Sequence, residues 1–259
     1  MSERLLHIRE ADRQLQTDWT WLADAEDNQL KHAFGNRNNS EFIIDPTGKI
    51  IVARDWSDAD KLRADLGSLV GKPQTRTTIP DLQRSTAPTR RSQNLVRGIL
   101  EPLPAPEGAR TVKTTAAPSD DPYYIKLRAD AGAELLSTGS GLLKLAFHID
   151  PIHHVHWNNL AAPLQFTVSA AEGMTVFPTK SVAHKVESHE SDLDPREFML
   201  DLADSPAGST ITVDVTYFPC HDTEAWCKAV NQTFKVILTP DPDAGRPSRG
   251  RGGRARPRR

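Results

Sequence analysis

The residue pattern predicts an α+β chain, on three observations. The first quarter carries helical apolar faces, the stretch after it is rich in Pro, Thr, Arg and Ser, and the long C-terminal region alternates apolar and polar residues. A chain of 259 residues is long enough for two modest domains, each burying a core without disulfides or metals. Its formal net charge of -2 hides an uneven balance, because "RPSRGRGGRARPRR" at the end holds seven arginines and no acid.

In the first part, "EDNQLKHAFG" reads as a helix stopped by Gly35, and "DWTWLAD" before it is a short strand candidate. "EFIIDPTGKIIVARDW" reads as a hairpin, with strands at 42–44 and 50–53 and a turn over residues 45–48. Pro at the second and Gly at the fourth turn position suit a type I turn. In "SDADKLRADLGSLVG", Ser57 is placed to cap a helix that carries Leu62, Leu66, Leu69 and Val70 on one face. Residues 73–121 read as a flexible linker, with arginines belonging to a solvated spacer.

Residues 122–241 read as β. "LLKLAFHI" alternates through Leu143, Leu145, Phe147 and Ile149, and "TITVDVTYF" through Ile211, Val213, Val215 and Tyr217. "LQFTVS", "EFMLDL" and "TFKVILTP" add three strands between Pro, Gly and Asp turns, the spacing of an immunoglobulin-like antiparallel β-sandwich. Residues 242–259 form an Arg/Gly-rich tail that cannot bury a core and reads as a disordered, solubilising terminus, so no nucleic-acid partner is expected. No apolar run approaches the length of a membrane helix, so no span is expected. "MSERLLHIREADRQLQTDW" is polar within a few residues and does not read as a secretory signal, so either a cytosolic protein or a start further upstream is expected.

The two cysteines, Cys220 and Cys227, flank the connection between strands at 210–218 and 232–238. Opposed residues of such a hairpin lie within disulfide reach. His221 favours a thiolate at Cys220, while Asp222 and Glu224 oppose it, so the local residues leave open a redox pair and a permanent structural bridge. Two cysteines at this spacing lack the close pair of a zinc ribbon. "HIDPIHHVHWNN" offers a second candidate, a copper or zinc site. His154 and His156 would share a strand face, near His148 and His153, with His184, His189 or Cys220 as further ligands. Ordinary hydrogen-bonding histidines are the expected reading, with no metal and no cofactor. Asp192, Asp194 and Glu197 in "DLDPREF" read as a polar turn entering a strand. Neither a phosphate-binding Gly-rich loop nor a Gly-x-Ser-x-Gly elbow occurs.

"HVHWNNLAAPLQFTVSAAEGM", "DPREFMLDL", "VTYFPC" and "WCKAVNQTFKVIL" resemble the N-terminal periplasmic domain of the thiol:disulfide interchange protein DsbD and its bacterial relatives. The resemblance implies an immunoglobulin-like fold and an exchanging pair, Cys220 and Cys227, with Tyr217, Phe218, His221 and Trp226 in support. It also implies a thiol:disulfide oxidoreductase activity, a thioredoxin-like or membrane redox protein as partner, and a periplasmic or extracytoplasmic location. Residues 1–72, through "WLADAEDNQLKHAFG" and "FIIDPTGKI", resemble the closing part of a thioredoxin- or peroxiredoxin-like domain without its Cys-x-x-Cys. By that resemblance a first βαβ part and a signal peptide are expected upstream of residue 1.

Overall fold

In the computed structural model the chain divides into two units, Met1–Arg90 and Arg91–Arg259. The structure describes residues 2–15, 19–25, 27–35, 39–75, 95–222, 224 and 226–244. The α+β class does not hold: the chain is mostly antiparallel β, with 39% strand against 17% helix.

The first unit contains α1 (Ser2–Leu15), α2 (Gln29–Ala33), β1 (Glu41–Ile44), β2 (Ile50–Arg54) and α3 (Ala59–Leu69). The hairpin stands where the turn residues place it, with β1 and β2 antiparallel. Asp45 Oδ1 accepts the N–H groups of Thr47 at 2.8 Å and Lys49 at 3.0 Å, and Gly48 holds a φ of 90° that a Cβ would disfavour. The helix after it is capped by Asp58, which accepts from the N–H groups of Asp60 and Lys61. Ser57 turns instead to Glu41, donating to its Oε2 at 2.9 Å. Residues 19–24 form no strand. Nothing on α2 or α3 is buried, and among the described residues up to 75 only Glu41 is. A thioredoxin-like segment would need strands covered by helices and an apolar interior. Among its described residues this unit forms one two-stranded antiparallel sheet, and the expected partial thioredoxin-like α/β segment is absent.

The second unit follows the chain as β3 (Arg110–Ala116), β4 (Ile125–Ala131), α4 (Ala133–Thr138), β5 (Gly141–Ile149), a 3₁₀ turn (Pro151–His153), β6 (Val155–Asn158) and β7 (Gln165–Ala170). It continues with β8 (Thr175–Phe177), β9 (Lys180–Val182), β10 (Ser191–Asp192), β11 (Arg196–Ala203), β12 (Thr210–Tyr217), β13 (Pro219–His221) and β14 (Val230–Pro240). Nine strands form one sheet in the order β8-β11-β5-β4-β3-β14-β12-β7-β9. Its edge strands β8 and β9 are consecutive in the chain, so the sheet curls until its edges come nearly together, which replaces the expected immunoglobulin-like two-sheet sandwich.

Alternation explains the inside of this sheet. Ile211, Val213, Val215 and Tyr217 of β12 are buried, as are Val230, Phe234, Val236 and Leu238 of β14. Phe166 lies edge-on to Phe198 at 4.7 Å, and Phe147 lies within 6.3 Å of Phe166, Phe198 and Phe234. Each such ring, once buried, contributes about 1.5–3 kcal/mol.

The stretch read as a linker is largely part of this unit. β3 pairs with both β4 and β14 inside the nine-stranded sheet. Upstream of it, Val96 bridges to Asp192, and the Asp194 carboxylate accepts the N–H groups of Gly98, Ile99 and Leu100 at 2.7–3.0 Å. Buried Lys144 donates to the carbonyl of Leu103 at 2.6 Å and pairs with Glu197 at 3.0 Å. Residues 76–94 of the expected linker and residues 245–259 of the expected tail lie outside the described residues.

Candidate functional site

A small three-stranded sheet, β10-β6-β13, carries the cysteines. After β12 the chain does not turn straight back into β14. It first forms β13, which pairs antiparallel with β6 in the register Pro219↔Trp157, Cys220↔His156 and His221↔Val155. Cys227 then bridges back to Cys220, and the two form a disulfide with Cα atoms 4.2 Å apart. The two cysteines are covered unequally, because Cys220 is 6% exposed whereas Cys227 is an exposed residue.

Val155 and Trp157 of β6 belong to the main core. His156 between them therefore faces the other side, together with its cross-strand partner Cys220, which is buried but outside that core. His156 Nδ1 lies 2.7 Å from Asp222 Oδ1. A carboxylate only accepts, so Nδ1 donates to it and Nε2 is the ring nitrogen outside that bond.

Around the exposed cysteine stands a cluster of rings. Trp226 packs tilted against His221 at 5.4 Å and against Tyr124 at 5.5 Å, and Lys228 Nζ sits 5.0 Å over Tyr124 and 5.3 Å over Trp226. Hydrogen bonding to Asp121, then to Tyr124, raises the Lys228 ammonium above the usual lysine range, so it stays charged. The loop is closed by the His221 N–H donating to the Trp226 carbonyl at 2.9 Å and the Glu224 N–H donating to His221 Nδ1 at 3.0 Å. No known family model, curated protein or solved structure matches the chain. Among the described residues, no helix is long and apolar enough to cross a membrane.

The residues singled out in the sequence divide into two groups. Cys220, Cys227, His221 and Trp226 come together. Tyr217 is fully buried in the main core, edge-on to Trp157 at 6.1 Å, with its hydroxyl donating to Gln232 Oε1 at 2.6 Å. Burial drives that phenol well above its ordinary range, so it stays neutral. Phe218 is half-buried, and its carbonyl accepts from the Asn158 N–H at 3.1 Å.

The histidines of residues 148–156 lie in three separate settings. His154 occupies a left-handed turn, φ 51°, before β6 begins, so it does not share a strand face with His156. His153 packs edge-on to Tyr124 at 5.2 Å, and His148 lies on β5, where burial lowers its imidazole below the usual range. Among the described residues no three His, Cys, Asp or Glu side chains converge as ligands would. Asp192 and Asp194 lie where the chain enters β11, as the sequence suggests, and both are buried. Arg196 bonds both oxygens of Asp192 at 2.9 and 2.7 Å. The sequence reading missed Tyr124 and the His156–Asp222 pair; Tyr124 lies 96 positions before Cys220 and has no local signal.

Proposed function

We propose that the Cys220–Cys227 disulfide is an exchanging pair that relays electrons by thiol-disulfide exchange. The observation that supports it is the unequal burial of the two cysteines, with Cys227 an exposed residue and Cys220 a buried one. In the forward direction a partner thiolate attacks Cys227 Sγ, the Cys220–Cys227 bond breaks, and Cys220 leaves as a thiolate. The partner's second thiolate then attacks the mixed disulfide and releases Cys227. The partner dithiol ends as a disulfide, and two electrons rest on the pair. No cofactor enters these steps.

The fitting partner is a thioredoxin-like or membrane redox protein presenting a dithiol. The matching compartment is the periplasm or another oxidising space, where such a bond forms and persists. The motif resemblance to the DsbD N-terminal domain points the same way. Equilibration of the full chain with glutathione buffers tests the reading. A relay equilibrates between about -200 and -270 mV, whereas a permanent bridge stays oxidised to below about -300 mV. The second result would make the bond a staple for the loop after β13.

A further inference from the structure

We infer that His156, held by Asp222, is the proton partner of Cys220 in the exchange. This rests on the relay reading above and adds a residue to it.

When Cys227 is attacked, the departing sulfur belongs to the buried cysteine of the pair. A thiolate at a 6% exposed position is costly unless a cation or a proton donor accompanies it. The strand register supplies one. His156 is the cross-strand partner of Cys220 and shares its face, and side chains so paired start from Cβ atoms about 4.5–5.5 Å apart. The imidazole is itself 7% exposed, and its Nδ1 is tied at 2.7 Å to Asp222. That contact fixes the ring and its tautomer, leaving Nε2 as the nitrogen outside the bond to Asp222.

The step balances. The partner thiolate's electron pair forms the new S–S bond to Cys227, the old bond's pair goes to Cys220, and the Nε2 proton of the imidazolium moves to that sulfur. Solvent then reprotonates His156. In the reverse direction neutral His156 takes the proton from Cys220 as it attacks. The other titratable groups on the elements around His156 are His221 on β13, His153 and His154 in the turn before β6, and Asp192 on β10, which is committed to Arg196. Glu224 and Lys228 lie beyond the disulfide and are engaged with Trp226 and Asp121 respectively.

The test is reduction of the full chain by excess dithiothreitol across pH, with each rate divided by the reagent's thiolate concentration. The wild type, His156→Gln and Asp222→Asn are compared. In the wild type the corrected rate is expected to fall with rising pH through the range where imidazoles titrate. His156→Gln should lose that inflection and run roughly 10²-fold slower at the acid end, the lower range for general acid catalysis. Asp222→Asn, changed at a side chain 22% exposed, should move the inflection to lower pH because the imidazolium loses its counter-charge. Identical profiles in all three proteins overturn the inference and leave the relay standing. A wild type that dithiothreitol reduces only after unfolding overturns both. If His156→Gln does not fold, Asp222→Asn decides alone: a shifted inflection supports the role and an unmoved one overturns it.

Discussion

Strand β6 has two neighbours, and its two flanks are built in opposite ways. On the β10 side, Asp192 is fully buried, Arg196 is 4% exposed, and the network closes on itself. The guanidinium bonds Asp192, Asn159 and the Asp194 carbonyl while lying 5.0 Å over Trp157, whose Nε1 donates to that same carbonyl. On the β13 side, one half of a disulfide lies at the surface and the other is covered beside an imidazole–carboxylate pair. A closed buried network fixes geometry and offers no bond or proton for exchange. A half-open one keeps the chemistry reachable while the same strand holds it in place. The difference teaches that this small sheet seals its polar groups into a closed network on one flank and leaves a half-exposed disulfide on the other.

The largest effect that sharpens this contrast should come from Arg196→Met, which strands a fully buried Asp192. We expect a loss of about 3–5 kcal/mol in urea unfolding. A loss under about 1 kcal/mol would mean that the β10 flank is not the rigid side. Replacing both cysteines by alanine should cost less, about 2.5 kcal/mol on the chain-entropy account of a short loop. The same unfolding experiment checks it.

Asp194→Asn should give the smallest change, about 1.5–2 kcal/mol for weakened charge-assisted bonds to the N–H groups of Gly98, Ile99 and Leu100. This change also carries a pH signature. Burial pushes the Asp194 carboxyl up, but the N–H groups of Gly98, Leu100 and Ile99, with Arg196, outweigh it and hold it below the ordinary 3.8. A depressed folded value stabilises the native state fully above the unfolded value and less as pH falls through the folded one. The gap between wild type and variant should therefore be complete at neutral pH and close in acid below about pH 4.

Local pattern made much of the β framework legible. β12 and β14 announce themselves by strict alternation, and the β1–β2 turn by Asp45, Pro46 and Gly48. β3 did not, because "RTVKTTA" shows one buried side chain, Val112, among polar ones, and composition there mimics a linker. The alternation of β5 points only Leu143, Leu145 and Phe147 inward, yet Lys144 and Ala146 are covered too, and Lys144 donates to the Leu103 carbonyl upstream of β3.

Closure of the sheet was beyond reach. It depends on β8 and β9, three residues each, finding partners in β11 and β7. The thioredoxin-like reading failed for a related reason: a helix-hairpin-helix order does not reveal whether the helices cover a sheet. At the site, the pairing of Cys220 with Cys227 followed from sequential strands. His156 and Asp222, 66 positions apart, meet only because β13 turns aside to pair with β6.

The unequal exposure of the two cysteines is tested most directly by trapping the intermediate. A thioredoxin-type protein lacking its second cysteine should be incubated with the oxidised chain and the linked peptides mapped. The account predicts a mixed disulfide on Cys227 with Cys220 recovered as a free thiol. A link to Cys220, or no adduct at all, would contradict it.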